Sequence, residues 1–502
     1  VHRHWSLSHR FLVTIFTAAL ISPLALPQAA HAQTAAYCQV SDDAVSQKNS
    51  LLQAALQGDG DAQDRYKAVV RQHAEQMRRC RGQNWPQNQA IWLRLYPCDA
   101  KPGALEALMD KLVNLGYNQV YVEVFYNGQV LLPAAENQTP WPSILRTAGY
   151  ENKDLLAEAI ARGRERGLKV YAWMFTMNFG YSYAQRSTTQ GALARNGYGQ
   201  TSLEFRTAAG LNVDVGGADS EEVFVDPYNL QAKRDYYHLV EAVTRRRPDG
   251  VLFDYVRYPR GVGAASISSR VQDLWIYGEA AQQALYQRAL NQSGQELIRR
   301  FISWGYITVA DIQDITKLYP QDGEPLWQGR VPVVSLRAAT PEQVQPYLQT
   351  ELWQLGVAHA IQGILDFLAL AVYPAQQQRI PTGAVFFPEG NQSIGQGYDS
   401  RLQPWDRFPS NVEWHPMVYG TCGNASCIVS QVQRVMAQAP PGTQVKPVLA
   451  GVWGQPISNR PSLEAQMQSI RQVVPQINSV SHFAYSWQEP QADRERKFCQ
   501  PR

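Results

Sequence analysis

From Ala90 onward the chain alternates short β-branched or aromatic runs with longer amphipathic stretches, and this alternation limits its fold more than any single motif. Eight runs read as strands: 91–95, 119–125, 168–174, the apolar run that ends at Asp254, 383–387, 412–419, 446–452 and 481–487. Helical periodicity fills 102–115, 152–166, 230–247, 428–437 and 463–474, and the first two stretches stop at Gly116 and Gly167. Eight strands with helices between most of them are what a closed (β/α)8 TIM-type barrel of the α/β class requires. An open doubly wound sheet is the competing arrangement, but no Gly-rich phosphate loop follows the first strand, so dinucleotide binding loses its main support. A helical section at about 266–375, interrupted near 304–337, is too long for one crossover and is expected to be an insertion. Residues 33–88 read as a helical extension ahead of a barrel spanning 89–490, with 491–502 as a tail.

The first residues carry an export pattern: basic residues to Arg10, an apolar run from Phe11 to Leu26, and Ala30-His31-Ala32 as a small-x-small cleavage site. Cleavage after Ala32 is expected, with a periplasmic or extracellular destination. All six cysteines lie beyond that point, and an even number in an exported chain suggests disulfides. Cys422 with Cys427 is the local pair; the other partners cannot be deduced from spacing. A net charge of +3 without a basic block gives little support to nucleic-acid binding. Thirteen Trp and 25 Tyr favour a carbohydrate ligand weakly, since flat rings cover the C–H faces of sugars but most such rings serve as core.

The run Asp249-Gly250-Val251-Leu252-Phe253-Asp254-Tyr255-Val256-Arg257-Tyr258-Pro259 carries the strongest chemical signal. A buried parallel strand tolerates a carboxylate poorly in mid-sheet, whereas the carboxyl end of a barrel strand is where active sites form. Asp254 is therefore the leading catalytic candidate, with a structural Asp254–Arg257 pair or a helix cap as the alternative. Glu389, closing the Phe387-Pro388 run, is the second catalytic candidate, against a solvated turn carboxylate; in a hydrolase Asp254 is expected to be the nucleophile or base and Glu389 the acid. Glu123 sits inside its strand as either a ligand-binding or a scaffold carboxylate. Glu413 stands early in its strand, toward the stability end. Asp226 reads as a turn or cap residue. Trp173, Asn178, Tyr255, Arg257, Tyr258, Tyr419, Trp453, Tyr485 and Trp487 lie at or beyond successive strand ends, where together they would line an aromatic cleft. Two carboxyl groups across such a cleft suffice to cleave a glycosidic bond without a metal or cofactor, with a separation of about 5–5.5 Å for retention and roughly 6.5–9.5 Å for inversion. No Gly-x-Ser-x-Gly elbow or His-Glu-x-x-His helix is present.

Taken together, Ala90-Ile91-Trp92-Leu93-Arg94, Leu115-Gly116-Tyr117-Asn118-Gln119-Val120-Tyr121, Asp226-Pro227, the Asp254 run and Pro416-Met417-Val418-Tyr419 resemble the glycoside-hydrolase-like family 10 proteins of bacteria. The resemblance implies a TIM-type barrel acting on a glycan, such as an envelope polysaccharide or peptidoglycan glycan strands. It maps Asp254 onto the family's strand-end aspartate and Tyr255, Arg257 and Tyr258 onto its neighbours. Phe387-Pro388-Glu389-Gly390 departs from the family's pattern, so Glu389 rests on position alone. Two further readings stay open: a noncatalytic glycan-binding protein on the same barrel, and an envelope-assembly protein that meets a partner through the helical insertion.

Overall fold

The structure, a computed structural model, describes residues 37–208, 222–334 and 338–499; the expected export segment, 1–32, lies outside them. The barrel strands are β1 (Asn88–Leu93), β2 (Gln119–Tyr126), β3 (Lys169–Phe175), β4 (Gly250–Asp254), β5 (Thr382–Phe386), β6 (Glu413–Pro416), β7 (Val448–Ala450) and β8 (Ser479–Phe483). Each pairs in parallel with its sequence neighbour, and β8 returns to β1 with Asn88 opposite Ser479. The β6–β7 junction is narrow, held by bridges Trp414↔Val445 and Met417↔Val448 and by Val418 N–H donating to the Val448 carbonyl at 3.0 Å. Strand order thus equals chain order around a ring, the arrangement of a (β/α)8 barrel.

Period-two alternation decides what enters the barrel. Trp92, Tyr121, Trp173 and Phe483 point inward and meet one another, with Trp92 4.7 Å from Trp173 and 5.0 Å from Tyr121. Glycines make room for other bulky inward side chains. A Cβ at Gly250 would stand 2.3 Å from the Tyr171 ring, and one at Gly383 would stand 2.7 Å from Leu252 and 2.9 Å from His415. At the amino-terminal end, Glu413 binds Lys446 at 2.6 Å and His415 at 3.2 Å, with Tyr171 Oη at 3.4 Å. Burial works against ionisation of Glu413, but His415 and Lys446 outweigh it and hold the carboxyl down to about 2.

The outer helices include α1 (Ala104–Asn114), α2 (Leu155–Glu165), α3 (Leu230–Thr244), α4 (Ser426–Gln438) and α5 (Leu463–Val473). Asp154 caps α2, Asn229 caps α3 and Ser462 caps α5, each side chain accepting a first-turn N–H. Gly116 and Gly167, where the sequence ends its first two helices, adopt φ of 90° and 72°.

Ahead of the barrel, helices Asp42–Leu56 and Gly60–Gln83 pack on each other and on α1. Their seat is a buried polar cluster in which Asp110 binds Arg166 at 2.8 Å and Tyr66 Oη at 2.7 Å, with Lys48 at 3.6 Å. Disulfides Cys38–Cys80 and Cys98–Cys499 tie this extension and the C-terminal helix Pro490–Phe498 in place, and Cys422–Cys427 closes a local loop.

Between β4 and β5 run helices Glu279–Tyr286, Gln292–Trp304, Val309–Leu318 and Pro341–Gln377. The third of these lies in the stretch expected to interrupt the helical section; a Thr308 capping box starts it, and Ile312 and Ile315 are its buried face. Pro341–Gln377 is long and apolar enough to cross a membrane by composition, but 61% of its apolar window is buried against the protein. Beyond β8 the sequence also misplaces one boundary: the strand stops at Phe483 and Tyr485–Gln488 forms a helical turn.

Candidate active site

Asp254 is the last residue of β4 and is 7% exposed. It shares an inward phase with Leu252, so the strand delivers its carboxylate to the carboxyl-terminal mouth. Trp173 Nε1 donates to Asp254 Oδ2 at 3.2 Å, and the Tyr255 N–H donates to Oδ1 at 2.6 Å. Burial pushes the carboxyl up to about 6, against the pull of that backbone N–H, the Arg257 charge and the indole, while the Glu123 charge adds to the rise. A carboxyl poised there exchanges protons near neutral pH.

Glu123, inward on β2, is 1% exposed. Its Oε2 accepts a short bond from Arg94 Nε, and its Oε1 is buried without a partner. Burial raises the Glu123 carboxyl and Arg94 beside it opposes that rise. For Arg94 the balance reverses: burial disfavours its charge, but Glu123 outweighs burial and raises it. Since a guanidinium keeps its proton, the two sit as an ion pair. Arg94 also lies 4.1 Å from the centre of the Tyr126 ring.

Tyr255, half-buried, takes φ of 54°, a left-handed conformation that a large side chain rarely adopts and that clusters at functional sites. Its ring lies 4.3 Å from Phe175, and the Glu222 charge acts on its hydroxyl. Arg257 stacks on Tyr255 at 4.5 Å and faces Phe224 and Phe387 at 5.5 and 5.9 Å. Tyr419, half-buried beyond β6, lies 6.0 Å from Phe483, and the Asp254 charge acts on its hydroxyl. Asp254, Glu123, Trp173, Tyr255, Arg257 and Tyr419 therefore converge on one opening.

The other residues singled out in the sequence have different partners. Trp453 faces outward: its Nε1 donates to Tyr117 Oη at 3.4 Å and its ring meets Tyr37 at 5.0 Å and His482 at 5.2 Å, in the layer between strands and helices. Tyr258 is fully buried under the long insertion helix, donating to the Ala360 carbonyl at 3.3 Å. Tyr485 lies on the helical turn beyond β8, under the Arg496 guanidinium at 5.2 Å. Trp487, on the same turn, is half-buried. Asn178 is buried, with Oδ1 accepting from Gly180 and Val223 and Nδ2 without a partner. Glu389 is half-buried on the rim beyond β5, where Gln431 of α4 donates to it. Asp226 accepts from the Tyr228 and Ala281 N–H groups, which fixes the turn before α3 and the start of helix Glu279–Tyr286.

Arg94, Phe483 and Glu222 were not singled out from sequence. Arg94 follows Trp92 by two residues, so alternation in β1 places both on the inner face. No sequence pattern marks Glu222, which reaches the site from the β3–α3 loop.

This mouth brings buried carboxylates and aromatic rings together. Residues 87–304 match the Glycosyl hydrolase-like 10 family. The matched segment carries β1 to β4, and hence Arg94, Glu123, Trp173, Asp254 and Arg257; β5 to β8, which complete the barrel, lie beyond it. No curated protein matches the chain. Among solved structures, the chain is similar to a Paenibacillus sp. cycloisomaltooligosaccharide glucanotransferase with 9% identity over 73% of this chain and 38% of that one, at a TM-score of 0.38. It is similar to a GH18 chitinase from Pseudoalteromonas aurantia with 10% identity, 82% and 99% coverage and a TM-score of 0.35. A β-N-acetylhexosaminidase from Bacteroides fragilis gives 9% identity, 80% and 61% coverage and 0.38. The barrel rests on its strand pairing. The chain spans less than two thirds of the first and third of these proteins.

Proposed function

We propose that the protein is an exported glycoside hydrolase that cleaves O-glycosidic bonds of an extracellular or envelope polysaccharide, peptidoglycan glycan strands among them. The observation that carries this is Asp254, a strand-end carboxyl at the barrel mouth, bonded to an indole and raised to about 6. Asp254 gives its proton to the leaving glycosidic oxygen. The leaving sugar departs with that oxygen as a hydroxyl while the sugar left behind develops positive charge at its anomeric carbon; the second carboxyl, ionised, either bonds to that carbon until water displaces it or takes a proton from the water that attacks, so that the hydroxyl of water ends on the anomeric carbon. Glu123 fits this second role better than Glu389, because Arg94 bonds to Glu123 and favours its ionised form against burial, and the Glu123 charge acts on Asp254, whereas Glu389 is engaged by Gln431 on the rim. Trp173 positions Asp254, while Tyr255 and Tyr419 offer flat faces to the sugar rings. Three disulfides are compatible with an oxidising destination.

The test measures reducing ends released from peptide-free glycan strands by the wild type and by Asp254→Asn, Glu123→Gln and Glu389→Gln. Loss of about 100-fold or more in the first two, with Glu389→Gln nearly unchanged, supports the assignment; full activity in Asp254→Asn refutes it. A second reading draws on the Arg94–Glu123 pair, which leaves Asp254 as the one uncompensated carboxylate among these two: a glycan-binding barrel without hydrolysis. Glycan binding by the wild type with no new reducing ends would establish that reading instead.

A further inference from the structure

Arg257 differs from the other buried arginines of this chain in what surrounds it. Arg166 binds Asp110 at 2.8 Å, Arg330 binds Glu351 at 2.6 Å, and Arg401 grips Asp399 with two bonds of 2.7 Å. Arg81, without a carboxylate, spreads its donors over Gly116, Pro86, Tyr37 and Gln89. Arg257 is 6% exposed, yet among the described residues its guanidinium reaches one acceptor, the Tyr258 carbonyl at 3.0 Å, and has no ion pair. Its flat faces are occupied by Tyr255, Phe224 and Phe387. That frame offsets part of the cost of burying a cation but leaves the edge donors unused. Those donors belong to a side chain whose charge acts on Asp254. Arg260 stands close enough to feel the charges of Arg257 and Arg401, and of Asp399 and Glu389.

A planar guanidinium with free edge donors, partly desolvated beside a candidate acid, matches the two oxygens of a carboxylate better than single sugar hydroxyls, because charge-assisted paired bonds are roughly twice as strong as neutral ones. We propose that Arg257 binds a carboxylate carried by the saccharide itself, so that the barrel selects acidic glycans. The inference rests on the mouth being a saccharide site, as set out above. The carboxylate can belong to a uronic acid or to an acidic ether substituent on an amino sugar. Either one, once bound, neutralises the charge that favours ionised Asp254. The acid then keeps its proton to higher pH when an acidic substrate is in place.

The test uses Asp254→Asn protein, so that ligands persist, and measures binding by calorimetry with two matched pairs: oligogalacturonate and its carboxyl-reduced form, and a muramic-acid-containing tetrasaccharide and its carboxyl-reduced form. At least tenfold tighter binding of the carboxylated member in either pair is expected, and the pair that shows it identifies the source of the carboxylate. Adding Arg257→Met should erase the preference, while Arg257→Lys keeps part of it. Equal binding within both pairs overturns the proposal without any variant at Arg257, and so does a preference that survives Arg257→Met in protein with native circular dichroism. If the preference holds but the wild type cleaves neither ligand, only the hydrolase reading fails. In a wild type that cleaves the acidic ligand, the basic limb of kcat should lie above that of kcat/KM, and Arg257→Met should bring the two together.

Discussion

Replacing Asp254 by Asn should change how stability depends on pH, and the structure sets the size of the change. In the unfolded chain the carboxyl titrates near its ordinary 3.8; in the folded barrel burial holds it up to about 6. Between those values the folded state keeps a proton that the unfolded state has released, so stability falls as pH rises through this window. At 1.36 kcal/mol per pH unit, the wild type should lose about 3 kcal/mol relative to Asp254→Asn between pH 3.5 and pH 7. Constant effects of the Asn amide, such as a poorer fit to the Trp173 and Tyr255 donors, cancel because only the change with pH is compared. Urea unfolding of both proteins with disulfides intact, at half-unit steps from pH 3.5 to 7.5, measures the difference. A flat difference, or a wild type that gains on the variant with rising pH, would show that the carboxyl is not raised and would remove the acid role assigned to it.

Other consequences are separable from this one. Glu413→Ala strands Lys446, whose side chain is 8% exposed, and should cost about 3 kcal/mol in urea unfolding while leaving turnover of the surviving folded enzyme within about twofold, since Glu413 lies at the far end of the barrel. Because Glu413 is held down to about 2, its contribution is present above its ordinary pKa of 4.5 and is lost as pH falls toward 2, so the deficit of Glu413→Ala should shrink in acid. Gly383→Ala forces a methyl against Leu252 and His415 and should destabilise the protein by about 1–3 kcal/mol, measured by thermal unfolding. Removing Cys98 and Cys499 together should cost about 2–4 kcal/mol and raise hydrogen exchange in helix Pro490–Phe498, which the bridge anchors.

The strands were legible because each is short, β-branched or aromatic, and bounded by turn residues, and because eight of them in series admit few closed arrangements. Asp254 stood out for the same reason: a carboxylate that ends an apolar run has few places to go except a strand end. Side-chain direction was legible only where a strand's phase was known. Trp453 is one residue out of phase with the inward Val448 and Ala450, and therefore lies in the outer layer against Tyr37. Tyr485 and Trp487 were misread because the strand ends at Phe483 and the chain turns into a helix. Tyr258 looks like a ligand contact in sequence, but the insertion that covers it follows about a hundred residues later, a relation no local pattern carries. The Cys422–Cys427 bridge was visible as a short loop. Cys38–Cys80 and Cys98–Cys499 depend on how the extension and the last helix dock, which spacing does not encode.

The central claim is that Asp254 hands a proton to a glycosidic oxygen seated over the barrel mouth. Its most direct test is a crystal structure of Asp254→Asn soaked with a glycan oligosaccharide that the wild type cleaves. The account predicts a glycosidic oxygen within about 3.2 Å of the residue 254 side chain, with a sugar ring against Tyr255 or Tyr419. A saccharide bound with its scissile linkage remote from residue 254 would contradict it.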